Sequence, residues 1–328
     1  MPTSGITKAL FGSLVLMAAL GRPSHAETLN LYTPNPTPIM SVKDMTKFAD
    51  EVDKKTNGQL KIKIHLGGSL QIQSTDIGQA VADDIIQIGD DQLFASTVPI
   101  AGILRLPALI RTREEFDKVL PIVEPYVKEQ YAKRGIVLLA SYYYPPLVLF
   151  SKKKIASLAE LKGAKIRSLS PESAEWLKRL GASPVTLAFP EIAPALERST
   201  VDGVLTAAAG AGYPLRDLVK FNFLIPLAFT QIYVITNQVA LDRMTPETRK
   251  VFMETFAAGI PTMSPDIFKD DIELTKKMQD GGMQVIEPSK ADYEESQRVM
   301  AAYWDDWAKQ RGPQAVEALG KVRAVLQR

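Results

Sequence analysis

Residues 161–181, LKGAKIRSLSPESAEWLKRLG, set one arginine where a strand gives way to a helix. Lys165-Ile166-Arg167 reads as a strand end. Ser170 is a good N-cap, Pro171 suits the first helical position, and Gly181 can close the helix. Arg167 therefore stands beside free helix N–H groups and their partial positive charge, a place for an anion. On local grounds alone, an ordinary surface or salt-bridged arginine fits the position equally well.

Working outward, the same alternation recurs. Thr28–Tyr32 has a strand pattern broken by Pro34, Pro36 and Pro38. Met45, Phe48, Ala49 and Val52 recur at helical spacing, and Gly58 ends that helix. Residues 60–66, LKIKIHL, alternate strictly, which predicts a half-buried strand with His65 on its polar face. A helix over 76–82, a strand over 85–89 and a helix over 114–134 follow. Residues 136–150, IVLLASYYYPPLVLF, give strand, aromatic turn, strand. Further α/β alternation runs to Asn237, and mostly helical sequence completes the chain. Strands alternating with helices indicate an α/β protein with largely parallel or mixed sheets. Two lobes joined by crossing segments are expected.

The chain has 328 residues, 46 % hydrophobic and 23 % charged, enough for about two domains. Residues 1–26 carry Lys8, the apolar stretch ALFGSLVLMAAL and a small-x-small site at Ser24-His25-Ala26. They read as a secretory signal cut after Ala26, with an N-terminal membrane anchor as the alternative. That segment holds Lys8, Arg22 and no acid, so 37 basic residues would then face 37 acidic ones. Nothing in that balance suggests nucleic acid. Cysteine is absent, which excludes disulfides, lipidated cysteine and a cysteine nucleophile.

Catalytic and cofactor motifs are also missing. There is no G-x-S-x-G elbow, Walker A loop or G-x-G-x-x-G loop. One histidine beyond the leader leaves no Ser-His-Asp or His-rich zinc site, and no cofactor is expected. Ser151 and Lys154 match S-x-x-K without its companion motifs, so a solvated turn is expected there. Asp83-Asp84 and Asp90-Asp91 are neighbours, and strand neighbours point to opposite faces.

The stretch LAELKGAKIRSLSPESAEWLKRLGASPVTLAFPEIAPALERSTVDG (158–203) resembles the central signature of the solute-binding proteins of TRAP (tripartite ATP-independent periplasmic) transporters. The resemblance extends through FADEVDKKTNGQLKIKIHLGGSLQ and LRLPALIRTREEF upstream and VITNQVALDRMTPETRKVF downstream. It implies a two-lobed periplasmic-binding-protein-like clamshell, each lobe a mixed sheet flanked by helices. Residues 27–144 and 233–270 would form the first lobe, and 145–232 and 271–328 the second. It also implies a periplasmic, monomeric receptor that closes on an organic acid and delivers it to a membrane permease. The arginine that pairs with the ligand carboxylate corresponds to Arg167, and the cleft aromatic to Phe189. Asn35, Asp90 and Gln92 correspond to polar contacts from the other lobe.

Three departures from the family pattern bear on the ligand. Thr206 stands where an amide is common, Leu147 where a second arginine is common, and Pro194 interrupts the helix after Phe189. Fewer donors remain for a second carboxylate or a polyhydroxylated chain. Tyr142, Tyr143 and Tyr144 offer flat apolar faces, and AAAGAGYPL (207–215) permits close backbone approach. A monocarboxylate with an apolar or aromatic body, such as a 2-oxo or 2-hydroxy acid, is the expected ligand. An exported α/β enzyme acting on an organic acid, or a receptor serving a sensor or an ABC permease, are the other readings.

Overall fold

The computed structural model describes Met1, residues 27–37 and residues 39–328. The expected signal segment and its cleavage site lie outside the described residues. Lys165–Ser168 is a strand, and Ser170 caps the helix Pro171–Arg179 that follows. Ser173 N–H donates to Ser170 Oγ at 3.2 Å, and Ser170 N–H donates to Ser173 Oγ at 3.1 Å. Trp176 and Leu177 on that helix are fully buried, and Trp176 Nε1 donates to Ser296 Oγ at 2.9 Å. This closed end fixes the helix against Lys290–Gln310.

The strands are β1 (Glu27–Tyr32), β2 (Leu60–His65), β3 (Ile88–Asp91), β4 (Ile136–Tyr144), β5 (Val148–Ser151), β6 (Lys165–Ser168), β7 (Ser183–Thr186), β8 (Gly203–Thr206), β9 (Phe221–Phe223), β10 (Thr230–Asn237) and β11 (Gln284–Ile286). One sheet has the order β2-β1-β3-β10-β4, with β1 parallel to β2 and β3, and β10 antiparallel to β3 and β4. The other has the order β11-β9-β5-β8-β6-β7, with β5 antiparallel to β8 and β9, and β6 parallel to β7 and β8. Helices flank both sheets, and each sheet is the centre of one lobe.

The chain passes between the lobes after β4 and again between β9 and β10. Those two passages are tied together: Leu147 N–H donates to Ala228 O, and Leu227 N–H to Leu147 O, both at 2.9 Å. The helix Met263–Asp280 makes a third crossing. Its Met263 and Ile267 belong to the core of the first sheet, and its Met278 to the core under β5 and β8.

Three details depart from the expected boundaries. β10 pairs with β4 from Thr230 onward, so a boundary at 232/233 would cut a continuous strand of the first sheet. The helix Pro313–Leu326 packs on Arg113–Ala132, which belongs to the first lobe. The third strand also begins at Ile88 instead of Ile85. Ile85 and Ile86 N–H both donate to Ala80 O in the helix Ile77–Ala82, at 2.9 and 3.3 Å, which keeps their backbone out of the sheet and leaves Ile85 63 % exposed.

Candidate ligand-binding site

Strand direction gathers the site. β1 and β3 run parallel, so their carboxyl ends share one edge of the first sheet. β10 runs the other way and starts there, and β4 ends there. In the second sheet the ends of β6 and β8 and the start of β5 coincide in the same manner. The two edges face one another across a cleft, as expected where ligands bind beyond strand carboxyl ends. Asn35, Gln92, Tyr144, Thr230 and Ile232 line it from the first sheet; Arg167, Phe189, Thr206 and Ala207 line it from the second, with Leu147 between. The cavity measures about 60 Å³.

Arg167 is 3 % exposed. Its Nε donates to Leu187 O at 2.9 Å and its Nη1 to Leu205 O at 3.2 Å. Backbone of the second lobe thus holds the guanidinium in place. Among the described residues no carboxylate lies within ion-pair distance of it. Burial lowers its pKa to about 10, partly opposed by the more distant charge of Glu191, so it remains a cation at neutral pH. A buried cation without a counter-ion is costly, and a bound anion would relieve that cost.

The helix N-terminus expected to share this role does not. The Ser170–Ser173 pair closes it, both serines are buried, and only Leu169 from that turn reaches the cleft.

On the facing wall, Asn35 Nδ2 donates to Ser41 Oγ at 3.1 Å, and Tyr144 Oη donates to the same oxygen at 3.1 Å. Gln92 Nε2 donates to Asp90 Oδ2 at 2.9 Å. Asp90, expected as a contact, does not line the cleft. It is fully buried beneath Gln92 and accepts also from Thr33 Oγ1 at 2.7 Å and Tyr142 Oη at 2.9 Å. Burial pushes its carboxyl upward, and these three donors pull it back.

Thr206 lines the cleft, but its hydroxyl is committed elsewhere. It accepts from Ala211 N–H at 3.0 Å and donates to Ala207 O at 3.3 Å, closing the π-helical turn Ala208–Gly212. That turn also brings Gly210 and Ala211 to the cleft. Of the three tyrosines only Tyr144 faces the ligand space; Tyr142 serves Asp90, and Tyr143 turns to the opposite core and donates to Asp117 at 2.6 Å. Pro34, Ser74, Leu93, Thr230 and Ile232 complete the lining and were not expected. Thr230 and Ile232 lie two apart on β10 and register with Tyr144 and Tyr142, a pairing that the sequence alone does not show.

Ser151, of the S-x-x-K match, donates to Lys153 O at 2.7 Å, and Lys152 Nζ donates to Leu196 O and Ser199 Oγ. His65 Nε2 lies 2.9 Å from Asn30 Oδ1. Among the described residues no group of three or more histidine, aspartate or glutamate side chains is placed to hold a metal ion.

The model of the bacterial extracellular solute-binding proteins, family 7, matches residues 33–310. The chain belongs to this family. Its members are the solute receptors of TRAP transporters, two-lobed clamshells, and the family is one of extracytoplasmic receptors and not of enzymes. This family 7 receptor is 26 % identical over 302 residues to an uncharacterised protein of Salmonella typhimurium, covering 87 % of this chain and 89 % of that one. It is 24 % identical to the 2,3-diketo-L-gulonate-binding periplasmic protein of Escherichia coli, over 73 % of this chain and 75 % of that one. A Bordetella pertussis extracytoplasmic solute receptor binding pyroglutamic acid superposes with a TM-score of 0.85 at 26 % identity, covering 91 % of this chain and all of that one. A TRAP solute-binding protein of Sulfurospirillum deleyianum with bound succinate shares the fold, with a TM-score of 0.83 at 21 % identity over 91 % of this chain and 98 % of that one. Among the described residues of the family 7 receptor no helix is long and apolar enough to cross a membrane.

Proposed function

We propose that this receptor captures a small monocarboxylate in the periplasm and delivers it to the membrane subunits of a TRAP permease. On this reading residues 1–26 direct export and are removed after Ala26. The observation that carries it is Arg167: a buried guanidinium, fixed by two backbone carbonyls and lacking a carboxylate partner, facing a cleft between two lobes.

Charge count and size support one carboxylate. Arg167 is the single cationic side chain in the cleft lining among the described residues, and Leu147 on the crossing segment lines the same cleft. Tyr144, Leu169, Phe189, Ala207 and Ile232 supply apolar wall for a carbon skeleton. At about 10–15 Å³ per water position, the cavity corresponds to about four to six waters, the volume of a compact acid. A 2-oxo or 2-hydroxy acid of few carbons matches that volume. Closure follows from contacts that exist only when both walls touch the ligand.

Calorimetric titration of small carboxylates against the parent and Arg167→Ala tests the reading. Removing one partner of a buried charge pair costs about 3–5 kcal/mol, a loss of affinity of about 100-fold or more. Unchanged affinity in the variant would overturn the assignment. Catalytic turnover of the bound acid would favour the enzyme reading instead.

A further inference from the structure

Gln92 follows β3 and reaches the cleft from the first sheet, across from Arg167 in the second. Its amide has a fixed polarity. Nε2 lies 2.9 Å from Asp90 Oδ2, and that carboxylate also receives Thr33 Oγ1 and Tyr142 Oη. A carboxylate only accepts, so the end of the amide that faces Asp90 is the NH2 end. Oε1 is left as the other end, and no described residue donates to it. Turning the amide over would set its oxygen against the carboxylate. The backbone here is held as well, because Gln92 O accepts from Arg105 Nη2 at 2.8 Å.

Asn35 repeats the pattern. Its Nδ2 donates to Ser41 Oγ, which leaves Oδ1 as the other end of this cleft-lining amide, and no described residue donates to it. Between these residues and the crossing segment lies Thr230, whose buried hydroxyl has no hydrogen-bond partner among the described residues. A hydroxyl serves in either direction, so Thr230 accommodates whatever the two amides select.

We propose that the cleft selects carboxylates bearing an O–H or N–H donor at the end away from Arg167, read by the Gln92 side-chain oxygen that Asp90 aims into the cleft. This rests on the reading of Arg167 as the carboxylate anchor. With a guanidinium on one wall and two carbonyl acceptors on the other, a complementary ligand is anionic at one end and donating at the other. Hydroxy acids and lactam acids satisfy both walls. An acid whose far end carries only a carbonyl or ether oxygen would place its lone pairs against Gln92 Oε1, and both acceptors would be desolvated and unpaired. Gln92 is thus the specificity-determining contact, and Asp90 a positioning residue that acts through it.

The test uses matched acids that differ in the donor at the end away from the carboxylate, titrated calorimetrically into the purified protein: 3-hydroxypropanoate against 3-methoxypropanoate, and 5-oxopyrrolidine-3-carboxylate against 5-oxotetrahydrofuran-3-carboxylate. In a pair whose skeleton is accepted, the donor-bearing member is expected to bind about 100-fold more tightly or better, since a site built around a hydrogen bond rejects the analogue lacking it. Gln92→Leu is expected to bring the two members within about threefold, because the acceptor is gone. Asp90→Asn frees the amide to turn over and should shrink the preference to about tenfold or less. Should Asp90→Asn fail to fold, Gln92→Leu decides alone. Equal affinities within every pair that binds, or a preference that survives Gln92→Leu, would overturn the proposal and leave Arg167 as anchor. Failure of every carboxylate to bind would overturn the anchor reading itself, and this proposal with it.

Discussion

Arg167 commits Nε and Nη1 to backbone carbonyls, which orients the guanidinium plane and leaves its remaining N–H groups for an anion. Charge alone would not reproduce this. In Arg167→Lys an ammonium cannot hold both carbonyls and still present a bidentate fork, and burial draws a lysine toward its neutral form. Carboxylate affinity of that variant is expected to fall by about tenfold or more while the fold persists. Equal affinity by calorimetry would mean that only a positive charge is needed. The position was readable in sequence because its punctuation is local: a strand end, a capping serine and a proline lie within five residues of it. Asp90 was not readable in the same way. With the strand running Ile88–Asp91, a period of two sends Asp90 under Gln92 and Asp91 toward Tyr131, and no local signal tells which faces a ligand.

Elements carry the next level of the site. The turn Ala208–Gly212 reaches the cleft because two acceptors hold its backbone: Thr206 Oγ1 takes Ala211 N–H, and Asp271 Oδ1 of the crossing helix takes Ala209 N–H at 2.8 Å. Thr206→Val keeps the shape and removes the acceptor, leaving a buried N–H unpaired. A loss of about 1–3 kcal/mol in denaturant-measured stability is expected, with Thr206→Ser restoring most of it. Unchanged stability would show that the hydroxyl does not close the turn. The small residues of 207–212 signalled close approach in sequence, but the π-helical turn depends also on Asp271, 62 residues away from Ala209. Sheet order was hidden for a related reason. The α/β order running to Asn237 implies a strand there, yet the place of β10 between β3 and β4 is decided by partners far along the chain. Thr230 and Ile232 therefore joined the site only once that pairing was known.

For the whole molecule, surface ion pairs contribute little, and buried ionisable groups govern the response to pH. Asp91 is 1 % exposed behind the first sheet. Burial raises its pKa to about 7; Tyr131, donating at 2.8 Å, and the charge of Arg105 oppose the rise, and Asp90 adds to it. An unfolded aspartate titrates near 3.9, so between about pH 4 and 7 the native state binds more protons than the unfolded one. The contribution is therefore fully present below about pH 4, is lost as pH rises through about 7, and changes little beyond. Three units set its ceiling at about 4 kcal/mol. Asp91→Asn keeps an acceptor for Tyr131 and removes the titration. Thermal midpoints of parent and variant should nearly coincide at pH 4, and the variant should melt several degrees higher at pH 8. A constant gap across that range would mean that Asp91 does not titrate there, and that the acid stability of the lobe has another source.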